Sequence, residues 1–370
     1  MAARRLARQL CAGAGHAVDP KKKASVVTSD SSEPSLAALA AWLDAEFGQH
    51  AVAIAWVNQQ QVQYLLHGKA DLANQLPLTA QTLFEIGSIS KPLTALAALK
   101  QVQAGHWQLD RPLSAQFGLQ QLAKHHYSLA QLITHQSGLP RLPANMPLDD
   151  LTNPYAGYSK EDLLAALAST DFEQQVFSYS NYGYGLLGFL LEQTQQQPFA
   201  TIMQQQVFTP MGMKSAAVQT PGGRFKPLAT GHAISQQVVS HWQFDSLAGA
   251  GAVLASIEDM AQLLRQLFAS ADSDPVLQQW LTVISSSGQP QMTPGWMQHN
   301  DWLWHNGQTA GFSSMLVFDP WQKQGLVLLS NLAMPMTEQS FSLFAQLLAQ
   351  PPGYKLGTPL VDDNKKSETE

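Results

Sequence analysis

Leu83-Phe84-Glu85-Ile86-Gly87-Ser88-Ile89-Ser90-Lys91-Pro92-Leu93-Thr94-Ala95-Leu96-Ala97-Ala98-Leu99 is the stretch that organises this chain. The first four residues read as extended, Gly87 interrupts them, and the run from Pro92 reads as helix. Pro92 fits a first helical turn, where backbone N–H groups have no partner to lose. Ser88 then stands at a helix N-terminus, where the helix dipole favours developing negative charge. Lys91 follows at i+3 on the same face. Semi-burial lowers the pKa of an amine, so Lys91 can act as a neutral base toward the Ser88 hydroxyl. A Ser-x-x-Lys arises by chance about once in a chain of this length, so the reading needs partners elsewhere.

Outward from this stretch, strands occur toward both ends and helices fill the middle. A helix capped by Ser35 carries Leu36, Leu39, Trp42, Leu43 and Phe47 at helical spacing. Strands are expected at 51–57 and 62–66, joined by Asn58-Gln59-Gln60-Gln61. Further strands fall at 302–305, 313–318 and 325–329, with Asp319-Pro320 opening a turn. A last helix spans about 338–348. This order predicts an α+β fold: an antiparallel sheet built from both ends of the chain, flanked by the first and last helices, with a mostly helical insertion. The expected catalytic unit is 34–350, with its α/β part at about 34–91 and 288–350 and its helical part at about 92–287. Residues 1–33 read as a disordered leader and 351–370 as a tail. A targeting segment is the alternative for the leader, because no acid precedes Asp19.

Composition narrows the function. The chain has 370 residues, 45 % hydrophobic and 13 % charged, which allows a large core. A net charge of −6 argues against a nucleic-acid partner. No run approaches the roughly 18 apolar residues of a transmembrane helix. The single Cys11 excludes an intrachain disulfide and a multi-thiolate metal site. Cys11 follows Leu10 in a segment without an apolar core, so it does not read as a secretory or lipoprotein signal. No H-E-x-x-H and no G-x-S-x-G occurs, which disfavours a zinc hydrolase and an α/β-hydrolase. No cofactor is expected.

Two further constellations supply the partners. Tyr179-Ser180-Asn181 precedes a helix; in extended backbone Tyr179 and Asn181 project to one side. A phenol whose pKa is lowered by neighbouring cations can shuttle a proton, and an amide can pair with a substrate amide. His305-Asn306-Gly307-Gln308 ends an aromatic strand, where glycine on an edge admits a substrate backbone.

The order Ser-x-x-Lys, Tyr-x-Asn, His-x-Gly resembles that of the active-site serine penicillin-recognising enzymes. The chain is similar to the branch holding class C β-lactamases, D,D-carboxypeptidases, D-aminopeptidases and β-lactamase-fold esterases. The similarity runs from about residue 36 to 348 and includes Leu132-Ile133-Thr134-His135-Gln136-Ser137-Gly138-Leu139-Pro140, Ala248-Gly249-Ala250-Gly251, Gly311-Phe312-Ser313-Ser314 and Leu328-Leu329-Ser330-Asn331. It implies a β-lactamase/transpeptidase-like fold, Ser88 as the acylated nucleophile, and Lys91 with Tyr179 as the pair that moves its proton. It implies Asn181, His305, Gly307 and Gln308 as substrate-binding positions, with the N–H groups of Ser88 and Gln308 as the oxyanion hole. His135 falls in a phrase that forms a structural turn and is left out of the catalytic set. A periplasmic or secreted setting is likewise implied. The expected partner is a small-molecule ester, a β-lactam or a D-amino-acid peptide.

Two departures matter. Class C β-lactamases usually carry Lys where this chain has His305, and often Gln where it has Leu142 after Arg141. Both favour an esterase or D-amino-acid peptidase over an efficient β-lactamase; a non-catalytic penicillin-binding sensor is the reading from another class. If His305 bound a substrate carboxylate as imidazolium, affinity would fall as pH rises through its pKa. Trp107, Tyr158, Trp242, Trp296 and Trp304 are candidate pocket walls.

Overall fold

The structure, a computed structural model, describes residues 36–147, 150, 152–170, 176–285, 288–351 and 353–356. The expected leader, the Ser35 cap and residues 357–370 lie outside the described residues.

Strands β1 (Val52–Val57), β2 (Val62–His67), β3 (Lys69–Asp71), β4 (Leu76–Pro77) and β5 (Leu83–Glu85) precede the helical middle. Two short strands, β6 (Ala217–Val218) and β7 (Val253–Ser256), lie within that middle, and β8 (Met297–His299), β9 (Trp302–Gln308), β10 (Ser313–Asp319) and β11 (Gln324–Ser330) follow it. The longer helices are α1 (Leu39–Phe47), α2 (Ser90–Gln103), α3 (Lys160–Ser169), α4 (Asn181–Gln195), α5 (Ile257–Ser270) and α6 (Thr337–Leu348).

Six strands form one antiparallel sheet in the order β2-β1-β11-β10-β9-β8. Its central pairing joins the two ends of the chain, from Val52 opposite Ser330 to Val57 opposite Gly325. Period-two alternation sorts side chains to two faces. Val52, Ile54, Trp56, Met315, Val317, Leu326 and Leu328 join Trp42, Phe47, Leu343 and Phe344 in one cluster under α1 and α6. Ala53, Ala55, Leu316, Phe318, Val327 and Leu329 face the larger core. Every residue of β1 and β10 is buried, as expected for strands covered on both sides. The sheet is therefore packed by the first and last helices on one face, as its alternation predicts.

On the other face, α5 lies directly on β1 and β11. Its Leu264 and Phe268 join the same core as Phe318. This helix belongs spatially to the sheet, although in the chain it lies within the helical middle. Helix α2 runs through the centre of the molecule, buried on all sides from Ser90 to Leu99, which is how an apolar helix without a polar face is accommodated. Residues 353–356 lie back on β1 and β2: Gln63 Nε2 donates to Tyr354 O (2.6 Å), and Tyr354 packs on Trp56.

Candidate active site

Strand β5 belongs to a small second sheet with β6 and β7. It delivers the chain to a 3-10 turn, Gly87–Ile89, which runs on into α2 at Ser90. Three tertiary bonds hold that turn. Ile86 N donates to Val253 O (3.1 Å), Val253 N to Ser90 Oγ (3.0 Å), and Ser314 Oγ to Ile86 O (2.9 Å). Gly87 has φ +49°, in the left-handed region. A Cβ there would fall 2.8 Å from Gln308 N, so the turn sits tightly against β9.

Lys91 Nζ lies 2.8 Å from Ser88 Oγ and donates to Ala250 O at 2.7 Å. The side chain is wholly buried rather than half-buried as the sequence suggested. Burial, aided by the Arg141 charge, holds the amine well below the ordinary lysine range. A lowered pKa favours the neutral amine, the form that can take a proton from the serine hydroxyl.

Tyr179 stands over this pair, with Lys91 Nζ 4.9 Å from its ring centroid. Ser180 is extended (φ −127°, ψ 110°), so Tyr179 and Asn181 share a side. The Ser180 hydroxyl caps α4 by accepting from Gly183 N (2.8 Å). His135 fixes the loop from below: its Nδ1 accepts from Ser180 N (3.0 Å) and its carbonyl from Ser178 N (2.7 Å). The His135 ring lies 4.4 Å from the Tyr179 ring, and its backbone has φ +59°. His135 is thus a positioning residue. The expectation that cations lower the Tyr179 pKa is corrected. Burial pushes the phenol well above its usual value, and Ser88 and the Arg141 guanidinium oppose that without reversing it. Tyr179 rests as a neutral donor, while Lys91 is the group left able to accept a proton.

Asn181 Nδ2 donates to Tyr155 Oη (2.7 Å), and Tyr155 is braced by Phe244 and Trp242 at ring distances of 4.7 and 5.1 Å. Asn181 Oδ1 is buried with no partner among the described residues, and Tyr179 Oη has the Ser88 side chain beside it. Both can meet a ligand.

The third motif forms the last residues of β9, which runs to Gln308 rather than stopping at His305. Strand β8 pairs only with Trp302, Leu303 and Trp304, so His305 to Gln308 form a local free edge facing the Ser88 turn. A Cβ at Gly307 would sit 2.0 Å from Ile86 O, so this close approach requires glycine. His305 Nδ1 donates to Asn306 O (2.6 Å), leaving Nε2 as a buried lone pair without a protein partner. Burial, with Lys91 adding to it, lowers the imidazole to about 3. The condition of an imidazolium at His305 is therefore not met: the ring faces the site as a neutral acceptor. Gln308 Nε2 donates outward to Ala333 O, which leaves its backbone as the part beside Ser88.

The five candidate aromatics are all buried. Trp107 packs on Phe117, Trp296 between Trp280 and Phe318, and Trp304 on Phe341 behind the sheet. Only Trp242 reaches the site, through Tyr155. Sequence reasoning missed Tyr155 and the role of Arg141, whose Cζ lies 5.1 Å from the Tyr179 ring centroid. A lone charge directly after Ser137-Gly138-Leu139-Pro140 was the available signal for Arg141. It also missed Glu85, whose carboxylate accepts from Trp242 N (2.8 Å) and which burial pushes up to about 8.

The family profile described as Beta-lactamase matches residues 39–350. The chain belongs to the β-lactamase family. Among curated relatives, "Protein flp" of Staphylococcus aureus strain MW2 is 27% identical over 281 residues, covering 72% of this chain and 56% of that protein. The match thus spans little more than half the length of that relative. A "Beta-lactamase" of Escherichia coli K12 is 26% identical over 326 residues, covering 76% and 83%. Of solved structures, a class C β-lactamase from Rhodobacter sphaeroides superposes with a TM-score of 0.72 at 22% identity, covering 85% of this chain and all of that one. A β-lactamase/D-alanine carboxypeptidase from Pseudomonas syringae gives 0.71 at 21%, covering 84% and 97%. These likenesses establish the β-lactamase/transpeptidase-like fold in this serine hydrolase family.

Proposed function

We propose that this chain is a serine hydrolase that works through an acyl-enzyme on Ser88, on an ester or a D-amino-acid amide. The observation that carries the proposal is the 2.8 Å contact between Ser88 Oγ and the amine of a fully buried Lys91. Ser88 Oγ attacks the substrate carbonyl while its proton passes to Lys91 Nζ. The oxyanion that forms is held by the N–H groups of Ser88 and Gln308. The proton then reaches the leaving oxygen or nitrogen through Tyr179 Oη, and the alcohol or amine departs. Water attacks the acyl-enzyme by the reverse path, releasing the acid and restoring Ser88. Asn181 Oδ1 accepts an N–H of the acyl part.

A β-lactamase activity is the second reading, favoured by the family's own reaction and by the E. coli relative's name. The neutral His305 counts against it as the main activity, because a buried lone pair gives no charge for a β-lactam carboxylate.

Intact-protein mass spectrometry after exposure to a penicillin, a D-Ala-D-Ala peptide and a short-chain p-nitrophenyl ester tests both. The expected result is a transient acyl adduct from the ester or the peptide, lost in Ser88→Ala together with ester turnover. Ester turnover retained by Ser88→Ala would sink the assignment. Rapid penicillin turnover without a lasting adduct would move the chain to the second reading.

A further inference from the structure

We propose that Arg141 is the anion-recognising residue of this site, and that the acyl group it selects carries a carboxylate. The inference rests on the hydrolase reading above and adds the substrate class to it.

Arg141 is anchored where the second motif begins. Its carbonyl accepts from Asn181 N (2.9 Å) and Tyr182 N (3.2 Å), which ties the residue to the first turn of α4. Its guanidinium lies over the Tyr179 ring at 5.1 Å, a stacking that arginine favours. The side chain is half-buried, and among the described residues no carboxylate pairs with it. A guanidinium has five donors in a fork that matches a carboxylate. The groups around it are Lys91, His135, Tyr179 and Asn181, none of them anionic. Among the described residues the cleft therefore holds a positive charge with no carboxylate paired to it, next to a buried acceptor, Asn181 Oδ1, that has no partner there.

The position also says which part of the substrate bears the anion. His305 turns a lone pair to the site and would repel a carboxylate. Arg141 stands on the Asn181 side, where the acyl part lies in the mechanism above. The cationic group is thus carried on the loop that precedes α3, tied through its carbonyl to the first turn of α4, on the acyl side of the scissile bond.

The test compares mono-p-nitrophenyl adipate with p-nitrophenyl hexanoate, which have equal carbon counts in the acyl chain and differ by a terminal carboxylate. The readout is the ratio of their kcat/KM values, from which the non-enzymatic rate has been subtracted. Any general effect of Arg141 through Tyr179 cancels in this ratio. Loss of one charge-assisted pair should lower the adipate preference roughly tenfold to a hundredfold in Arg141→Gln. Arg141→Lys should restore part of it, and added salt should shrink it in the native protein. A ratio unchanged in a folded Arg141→Gln variant overturns the anion assignment alone. No turnover of either ester by the native protein overturns the hydrolase reading with it.

Discussion

Two asparagines set the scaffold of this molecule apart from its site. Asn331, at the end of β11, is wholly buried, and both halves of its amide are used. Its Oδ1 accepts from Ala51 N (2.7 Å) and its Nδ2 donates to Thr230 O (2.9 Å), joining the start of β1 to a distant loop. Asn181 is almost as buried, yet only its Nδ2 is engaged and its Oδ1 is left open. The same amide thus serves as a structural clamp where every polar atom is satisfied and, in the function proposed, as a binding group where one is withheld. His305 Nε2 is left in the same state. Burial without satisfaction costs free energy; scaffold atoms such as Trp56 Nε1 and Trp304 Nε1 also lack partners, so what sets the Asn181 and His305 atoms apart is their place beside the Ser88–Lys91 contact.

The largest expected departure from this picture lies at Lys91. Lys91→Met should lower ester kcat by about 10²- to 10⁴-fold, the usual worth of a positioned base. It should leave thermal stability equal or higher, because a buried amine is replaced by an apolar side chain. In the native protein, activity should fall as pH drops through the depressed Lys91 pKa, since only the neutral amine accepts the serine proton. An acid limb that persists unchanged in residual Lys91→Met activity would show that another group titrates.

The asparagines themselves provide the next test. Asn331→Ala leaves Ala51 N–H and Thr230 C=O without their partner and should cost about 3 kcal/mol in a denaturant melt. Asn181→Ala should cost less than about 1 kcal/mol but lower kcat/KM for an amide substrate by roughly tenfold. Equal stability losses would erase the distinction between clamp and binding group.

The smallest effect concerns Glu85, buried beneath the Ser88 turn. The folded protein keeps the Glu85 proton up to about pH 8, while the unfolded chain releases it near 4.5. Stability from this group is thus complete below that lower value, declines as pH rises toward 8 and levels off above it. Glu85→Gln should flatten the melting temperature between those limits. A slope equal to that of the native protein would remove Glu85 from the account.

Much of this was legible in advance. Ser88 and Lys91 are three residues apart on one helical segment, so their meeting follows from local geometry. Apolar strand runs at both ends of the chain, among them Val52–Val57 and Ser313–Asp319, pointed to a sheet that needs covering. The motif order brought Tyr179, Asn181 and His305 into one reading, and the structure places all three around Ser88. Protonation was not legible. Neither an imidazolium at His305 nor a phenol acidified by cations at Tyr179 survives once burial is known, because desolvation is a property of the whole surrounding fold. Arg141 escaped for a related reason: its guanidinium meets Tyr179 only after the loop before α4 closes on it.

By itself, then, the sequence determined the elements whose causes are local: the Ser88–Lys91 spacing, the apolar strand runs at both ends of the chain, and the glycine at 307 that lets β9 approach the turn. Tertiary structure decided what those residues are chemically. It lowered the pKa of Lys91 and of His305, raised that of Tyr179, and set Arg141 beside them with no carboxylate partner among the described residues. Charge state and solvation depend on neighbours far apart in the chain, and only folding brings those neighbours together.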